Sequence, residues 1–204
     1  MCLSKIINTI IVIFIISQLV NCTLLGVSKI ELNNTLILNP NYTTKIEGLT
    51  LNSEWLGNAY PVPTAYNFLG RITRFVIPYT DKTTLIRLTI ENNSDFLVFL
   101  DREKIKLKIE PDGLELRPLS LDYFKKQWPT FAVKDSNTML DHSVAISHII
   151  RTIFTSFNLL PKKKYEGILP FEKIPDRTYK ASLIIEGIEI NNELKDIIID
   201  FSKN

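Results

Sequence analysis

The segment Lys104-Ile105-Lys106-Leu107-Lys108-Ile109 alternates without a break, three lysines against three aliphatics. With a repeat of two, a strand puts the lysines in water and the aliphatics in a core, whereas a helix would mix both sets around its circumference. A chain carrying this segment has to build a sheet with one wet face and one buried face. In Thr84–Ile90 the side chains of Ile86, Leu88 and Ile90 likewise share one face, and Arg87 and Thr89 the other. Phe96–Leu100 is apolar throughout, as expected of a strand that is central or covered on both faces. Gly167–Phe171, Lys180–Ile185 and Asp196–Phe201 are three more β-type runs. Earlier runs at Thr35–Leu38, Lys45–Leu51 and Arg71–Ile77 bring the expectation to eight or nine strands. Turn chemistry separates several of them, at Glu91–Asp95, Pro111-Asp112-Gly113 and Ile174–Arg177. Short strands punctuated in this way predict a mainly β sandwich or barrel.

One segment departs from this period. Thr138-Met139-Leu140-Asp141 has the shape of a capping box, with Thr138 as N-cap. Leu140, Val144, Ile149, Ile150, Ile153, Phe154 and Phe157 then fall near helical spacing, and Pro161 stops continuation. An inserted amphipathic helix is therefore expected over about 138–158, packed on the sandwich. Leu119–Gln127 reads as a shorter helical turn.

The stretch from Leu85 to Phe201 resembles the telokin-like, immunoglobulin-type domains of bacterial extracytoplasmic lipoproteins. The residues that carry the resemblance are Ile90-Glu91-Asn92, Ile105–Glu110 ahead of Asp112-Gly113, and Glu166-Gly167-Ile168-Leu169-Pro170-Phe171. A closing aliphatic pair follows at Leu183–Ile185 and Ile197–Phe201. That pattern has no helix where 138–158 falls, and residues 23–80 lie outside it. The resemblance implies an immunoglobulin-like antiparallel β-sandwich and an extracytoplasmic binding or accessory role. It brings no catalytic residues with it.

The N-terminus reads as an address. Lys5 precedes an apolar stretch whose uninterrupted run, Ile10–Ile16, is far short of the roughly 20 residues a membrane-spanning helix needs. Its length suits the apolar region of a signal peptide, here residues 1–21. An uncleaved anchor is the alternative, with Ser17, Gln18, Asn21 and Thr23 then at membrane depth. Removing residues 1–21 also removes Cys2, which leaves Cys22 with no internal disulfide partner. Leu19-Val20-Asn21-Cys22 resembles the bacterial lipoprotein box: Leu19 and Cys22 match, while Asn21 stands where Gly, Ala or Ser is usual. Cys22 is thus the expected lipidation site, 22–34 a short tether and 35–204 one domain. Its acyl chains would provide the membrane attachment and place the protein in the cell envelope. Ordinary cleavage near Cys22, giving a secreted or periplasmic soluble protein with a free thiol, is the other reading.

The formal charge of +2, from 24 basic and 22 acidic residues, is too balanced for a nucleic-acid footprint. Two histidines and two cysteines leave little material for a metal site, and no cofactor motif is present. His142 and His148 are six residues apart and point to opposite sides of a helix. Asp141 and His148 share a face but stand about 10 Å apart along its axis, too far for a catalytic pair. The carboxylates Asp101/Glu103, Glu110/Asp112/Glu115 and Asp176 sit mostly at turns. The segment with the residue types of a recognition surface is Asn58–Phe68, where two prolines stiffen a loop carrying Tyr60, Tyr66 and Phe68. Trp128 is a candidate for the same patch. The expectation is a non-enzymatic, lipid-anchored envelope protein that binds a protein or another envelope component. An envelope hydrolase using His148 or acidic residues, and an assembly subunit docking through helix 138–158, are the alternatives.

Overall fold

The alternating segments become strands of two antiparallel sheets. The computed structural model describes residues 41–128 and 136–202. The signal segment, Cys22, the tether and the candidate strand Thr35–Leu38 lie outside the described residues. One sheet contains β1 (Asn41–Ile46), β2 (Leu49–Asn58), β5 (Thr83–Asn92) and β10 (Lys164–Glu172), in that order. The other is built on the long strand β11 (Lys180–Ile190), flanked on one side by β12 (Glu193–Ser202). Its other side pairs with β7 (Ile105–Glu110) along one half and β6 (Val98–Leu100) along the other. β8 (Leu114–Leu116) extends β7, and β9 (Phe157–Leu159) extends β6. A separate hairpin joins β3 (Val62–Tyr66) to β4 (Ile72–Val76).

The aliphatic faces read from the sequence point into one core. Leu49, Leu51, Ile86, Leu88 and Ile90 of the first sheet pack with Ile105, Leu107, Ile109, Leu183, Ile197 and Ile199 of the second. Across that core the Trp55 and Phe201 rings are 5.2 Å apart. Lys106 and Lys108 stay outside it, as the alternation requires. Leu85 and Ile168 face the opposite way, into a smaller core under the helices α1 (Leu121–Gln127) and α2 (Ser136–Thr152). Helix α1 is capped by Ser120, whose side chain accepts the Tyr123 N–H at 3.2 Å.

Several sequence expectations need correction. Helix 138–158 begins two residues earlier, at Ser136, and ends at Thr152, while Phe157–Leu159 is a strand. The edge of β10 captures the chain before Pro161 can act. The Phe154 N–H donates to Ile168 O at 2.8 Å, and Ile153 bridges Ile168 in parallel. Gly167 permits this approach, since a Cβ there would lie 2.9 Å from Phe154 Cα. Lys45–Leu51 is not one strand: it holds the end of β1, a turn at Glu47 and Gly48 with φ 43° and 83°, and the start of β2. Arg71–Ile77 shortens to Ile72–Val76, and the supposed loop Asn58–Phe68 contains β3. The described residues hold twelve strands, more than the eight or nine expected.

Asn92 ties several of these pieces together. Its buried amide donates to Phe96 O at 2.8 Å and Leu159 O at 3.1 Å, and its Oδ1 accepts from Ser94 N–H and Oγ–H at 3.0 and 2.6 Å. Its backbone N–H donates to Lys163 O, and its carbonyl accepts from Lys162 N–H. A single side chain thus satisfies the end of β5, the following loop and the end of β9.

Candidate functional site

The β3–β4 hairpin carries the recognition residues named from sequence, and its apex is ordered by one asparagine. Asn67 Oδ1 accepts the backbone N–H groups of Leu69 and Arg71 at 3.0 and 2.9 Å. Asn67 N–H donates to Arg71 O at 2.9 Å, and Gly70 N–H to Asn67 O at 3.0 Å. Gly70 sits at φ 73° with nothing near its absent Cβ, so conformation and not space selects glycine there. This closed turn displays Phe68 at 95% exposure, with Leu69 at 63% and Tyr66 at 61%. Ile72, opposite Tyr66 in the register, is also exposed.

The base of the hairpin is clamped to helix α2. Arg74 Nε and Nη2 both donate to Asp141 Oδ2, at 3.0 and 2.6 Å. Asp141 Oδ1 is buried without a partner among the described residues, so Oδ2 alone makes the contact with Arg74. A half-buried pair of this kind holds geometry more than it adds net stability, because desolvation offsets the attraction. Nearby, the Tyr60 hydroxyl and His148 Nε2 are 3.0 Å apart. The Tyr79 hydroxyl meets Thr152 Oγ1 at 2.7 Å, and that oxygen donates to His148 O at 2.8 Å. Burial, reinforced by the charge of Arg151, pulls the His148 pKa down and favours the neutral ring. Burial pushes the Tyr60 hydroxyl up, and Tyr79 further still, so both stay protonated as hydrogen-bond donors.

The four aromatic residues proposed from sequence therefore divide. Tyr66 and Phe68 stand at the exposed end. Tyr60 and Trp128 are partly buried against the helical core, where Trp128 Nε1 donates to Pro78 O at 3.0 Å. Asp141 and His148 are engaged by different partners, Arg74 and Tyr60, and do not meet each other. Helix α2 buries Ala145 and Ile149 and exposes Met139, Leu140 and Ile150, and the exposed Ser143 and Ser147 interrupt any apolar stripe between them. Among the described residues no cluster of three His, Cys, Asp or Glu side chains could hold a metal ion. No described helix is long and apolar enough to cross a membrane. Sequence reading missed Arg74, whose role depends on an acid 67 residues away. Its only local signal was a cation inside a strand pattern.

Fold and site together define a mainly β protein of antiparallel sheets, with a helix-supported hairpin projecting an apolar tip. No family model and no curated protein match the chain. Among solved structures it is similar to the yjhA protein from Bacillus subtilis, with TM-score 0.41 and 14% identity over 72% of this chain and 78% of that one. A functionally unknown protein from Listeria monocytogenes EGD-e aligns with TM-score 0.40 and 15% identity over 83% of this chain and 86% of that one. The candidate lipoprotein ycdA from Bacillus subtilis aligns with TM-score 0.39 and 12% identity over 79% of this chain but only 38% of its own.

Proposed function

We propose that this chain is a non-enzymatic, lipid-anchored protein of the bacterial cell envelope that binds a protein or envelope component through the β3–β4 hairpin. The immunoglobulin-type assignment belongs to the same proposal, supported by two antiparallel sheets closing over one aliphatic core. Export and acylation at Cys22 rest on the N-terminal sequence pattern. The observation that carries the binding role is Phe68, almost wholly exposed at an apex held by four hydrogen bonds. Exposed apolar groups on an ordered support are the usual form of an interaction site. Asp141 and His148 each hold the hairpin in place, which favours binding over the hydrolase alternative.

Two measurements test the reading. Palmitate labelling should be incorporated into the wild type and lost in Cys22→Ser. Photo-crosslinking from position 68 in intact cells should yield a discrete adduct that Tyr66→Ser weakens while thermal stability is unchanged. Absence of label would remove the lipid anchor, and absence of any adduct would remove the hairpin as the binding element.

A further inference from the structure

On the outer face of the second sheet, a cleft of about 320 Å³ is bounded by β6, β9 and the β11–β12 turn. We propose that it is a binding site for a neutral saccharide, separate from the hairpin and independent of its role. Cross-strand register builds its floor. Glu189 pairs with Phe99, and Phe99 with Asn158, so three neighbouring strands contribute a carboxylate, an aromatic ring and an amide in one row. Directly paired residues share a face and stand about 5 Å apart, so the three side chains line one continuous strip of the cleft floor. Phe96 and Leu97 form one wall, each about half exposed. Asn191 and Asn192 form the other.

The chemistry of the lining selects the ligand. An exposed aromatic face carries partial negative charge and attracts the weakly positive C–H groups of a pyranose. Each amide offers two donor hydrogens and an acceptor oxygen, enough to engage adjacent hydroxyls, and Glu189 adds an acceptor. No side-chain hydrogen bond or ion pair commits Asn158, Glu189, Asn191 or Asn192 to another described residue. Among the described residues no basic side chain lines the cleft, which disfavours a phosphate-bearing or other anionic ligand, nucleic acids included. The volume lies at the small end of ligand sites, roughly 300–1,000 Å³. The site is also preorganised. Buried Asn92 holds the Phe96 carbonyl and the end of β9, so the backbone that carries the aromatic wall is anchored before any ligand arrives.

The Asn191-Asn192 turn gives a clean test. Both residues lie at positive φ, 50° and 62°, where glycine is at least as comfortable. Asn191→Gly/Asn192→Gly therefore removes two amides while keeping the hairpin. Titration of the full chain with cellotriose and triacetylchitotriose, up to about 10 mM and followed by NMR shifts, should show binding in roughly the millimolar range for at least one of them. The double glycine variant and Phe99→Ala should each weaken it at least about tenfold, and Phe68→Ser should leave it unchanged. The inference is overturned if neither sugar binds, if affinity survives both cleft variants, or if dextran sulfate binds more tightly than either neutral sugar. Because Phe68→Ser reports on the hairpin alone, failure of the sugar site and failure of the hairpin reading remain distinguishable.

Discussion

Asn92→Asp is close to isosteric, yet it reverses the hydrogen-bonding logic of a buried hub. The amide donates to the carbonyls of Phe96 and Leu159, and a carboxylate has no proton to give either. A carbonyl left bare in a buried setting, as Leu159 O would be, costs about 1–3 kcal/mol; the part-buried Phe96 O loses less, and desolvation of the new charge adds to both. The expected loss is about 3–5 kcal/mol at pH 8. At about 2–4 °C per kcal/mol for a chain of this size, Tm should fall by roughly 6–20 °C. The pH dependence follows from linkage. The introduced acid has a folded-state pKa above its unfolded value of about 3.9, so the native state holds the extra proton. The variant's deficit is then smallest near pH 4, where the protonated acid restores one donor, and it grows as pH rises through the folded-state pKa. Urea denaturation of both proteins at about pH 4.5, 6 and 8, followed by far-UV circular dichroism, measures the deficit directly. A deficit under about 1 kcal/mol at pH 8, or one that shrinks as pH rises, would refute the role given to Asn92.

Two further outcomes are expected from the packing of helix α2 and of the chain that follows it. Gly167→Ala forces a Cβ to within 2.9 Å of Phe154 Cα and should cost about 1–3 kcal/mol in chemical denaturation. Gly70→Ala, which meets only backbone strain, should cost about 1–2 kcal/mol with no core disruption, and near-UV circular dichroism that changes equally in both variants would contradict the contact. For His148 the folded-state pKa is depressed, so the unfolded chain binds more protons and stability is lost as pH falls below about 6.5. Thermal melts between about pH 5 and 8 should show that slope in the wild type and a flatter one in His148→Gln. Equal slopes in the two proteins would assign the acid sensitivity to other groups.

Local patterns made much of the fold legible. Lys104–Ile109 announced both its secondary structure and its buried face, because side chains alternate across a strand whatever it pairs with. The same holds for Ile86, Leu88 and Ile90. Boundaries were harder wherever two strands meet at a short turn. Lys45–Leu51 looked continuous because Glu47-Gly48 interrupts the apolar pattern no more than a solvent-facing pair would. Lys180–Ile185 is only the first half of β11, since Gly187, at φ 60° in a register shift, breaks the alternation without breaking the strand. Helix α2 was placed correctly at its centre and too far at its end, because the partner that stops it is Ile168, a residue with no local signature. In the candidate site, Phe68 and Tyr66 were recognisable from residue type. The internal roles of Tyr60 and Trp128 were not, because polar aromatics are equally suited to a surface and to a partly buried hydrogen bond.

The sequence by itself determined the β character of the chain and the wet and dry faces of its strands. Each of these follows from spacing along the chain, which local sterics and solvation translate directly into structure. Tertiary structure decided which aromatics stay exposed, that Arg74 meets Asp141, and that Glu189, Phe99 and Asn158 stand in one row. Those pairings join residues tens of positions apart. They are set by strand order and register, which emerge only when the sheets close over their shared core.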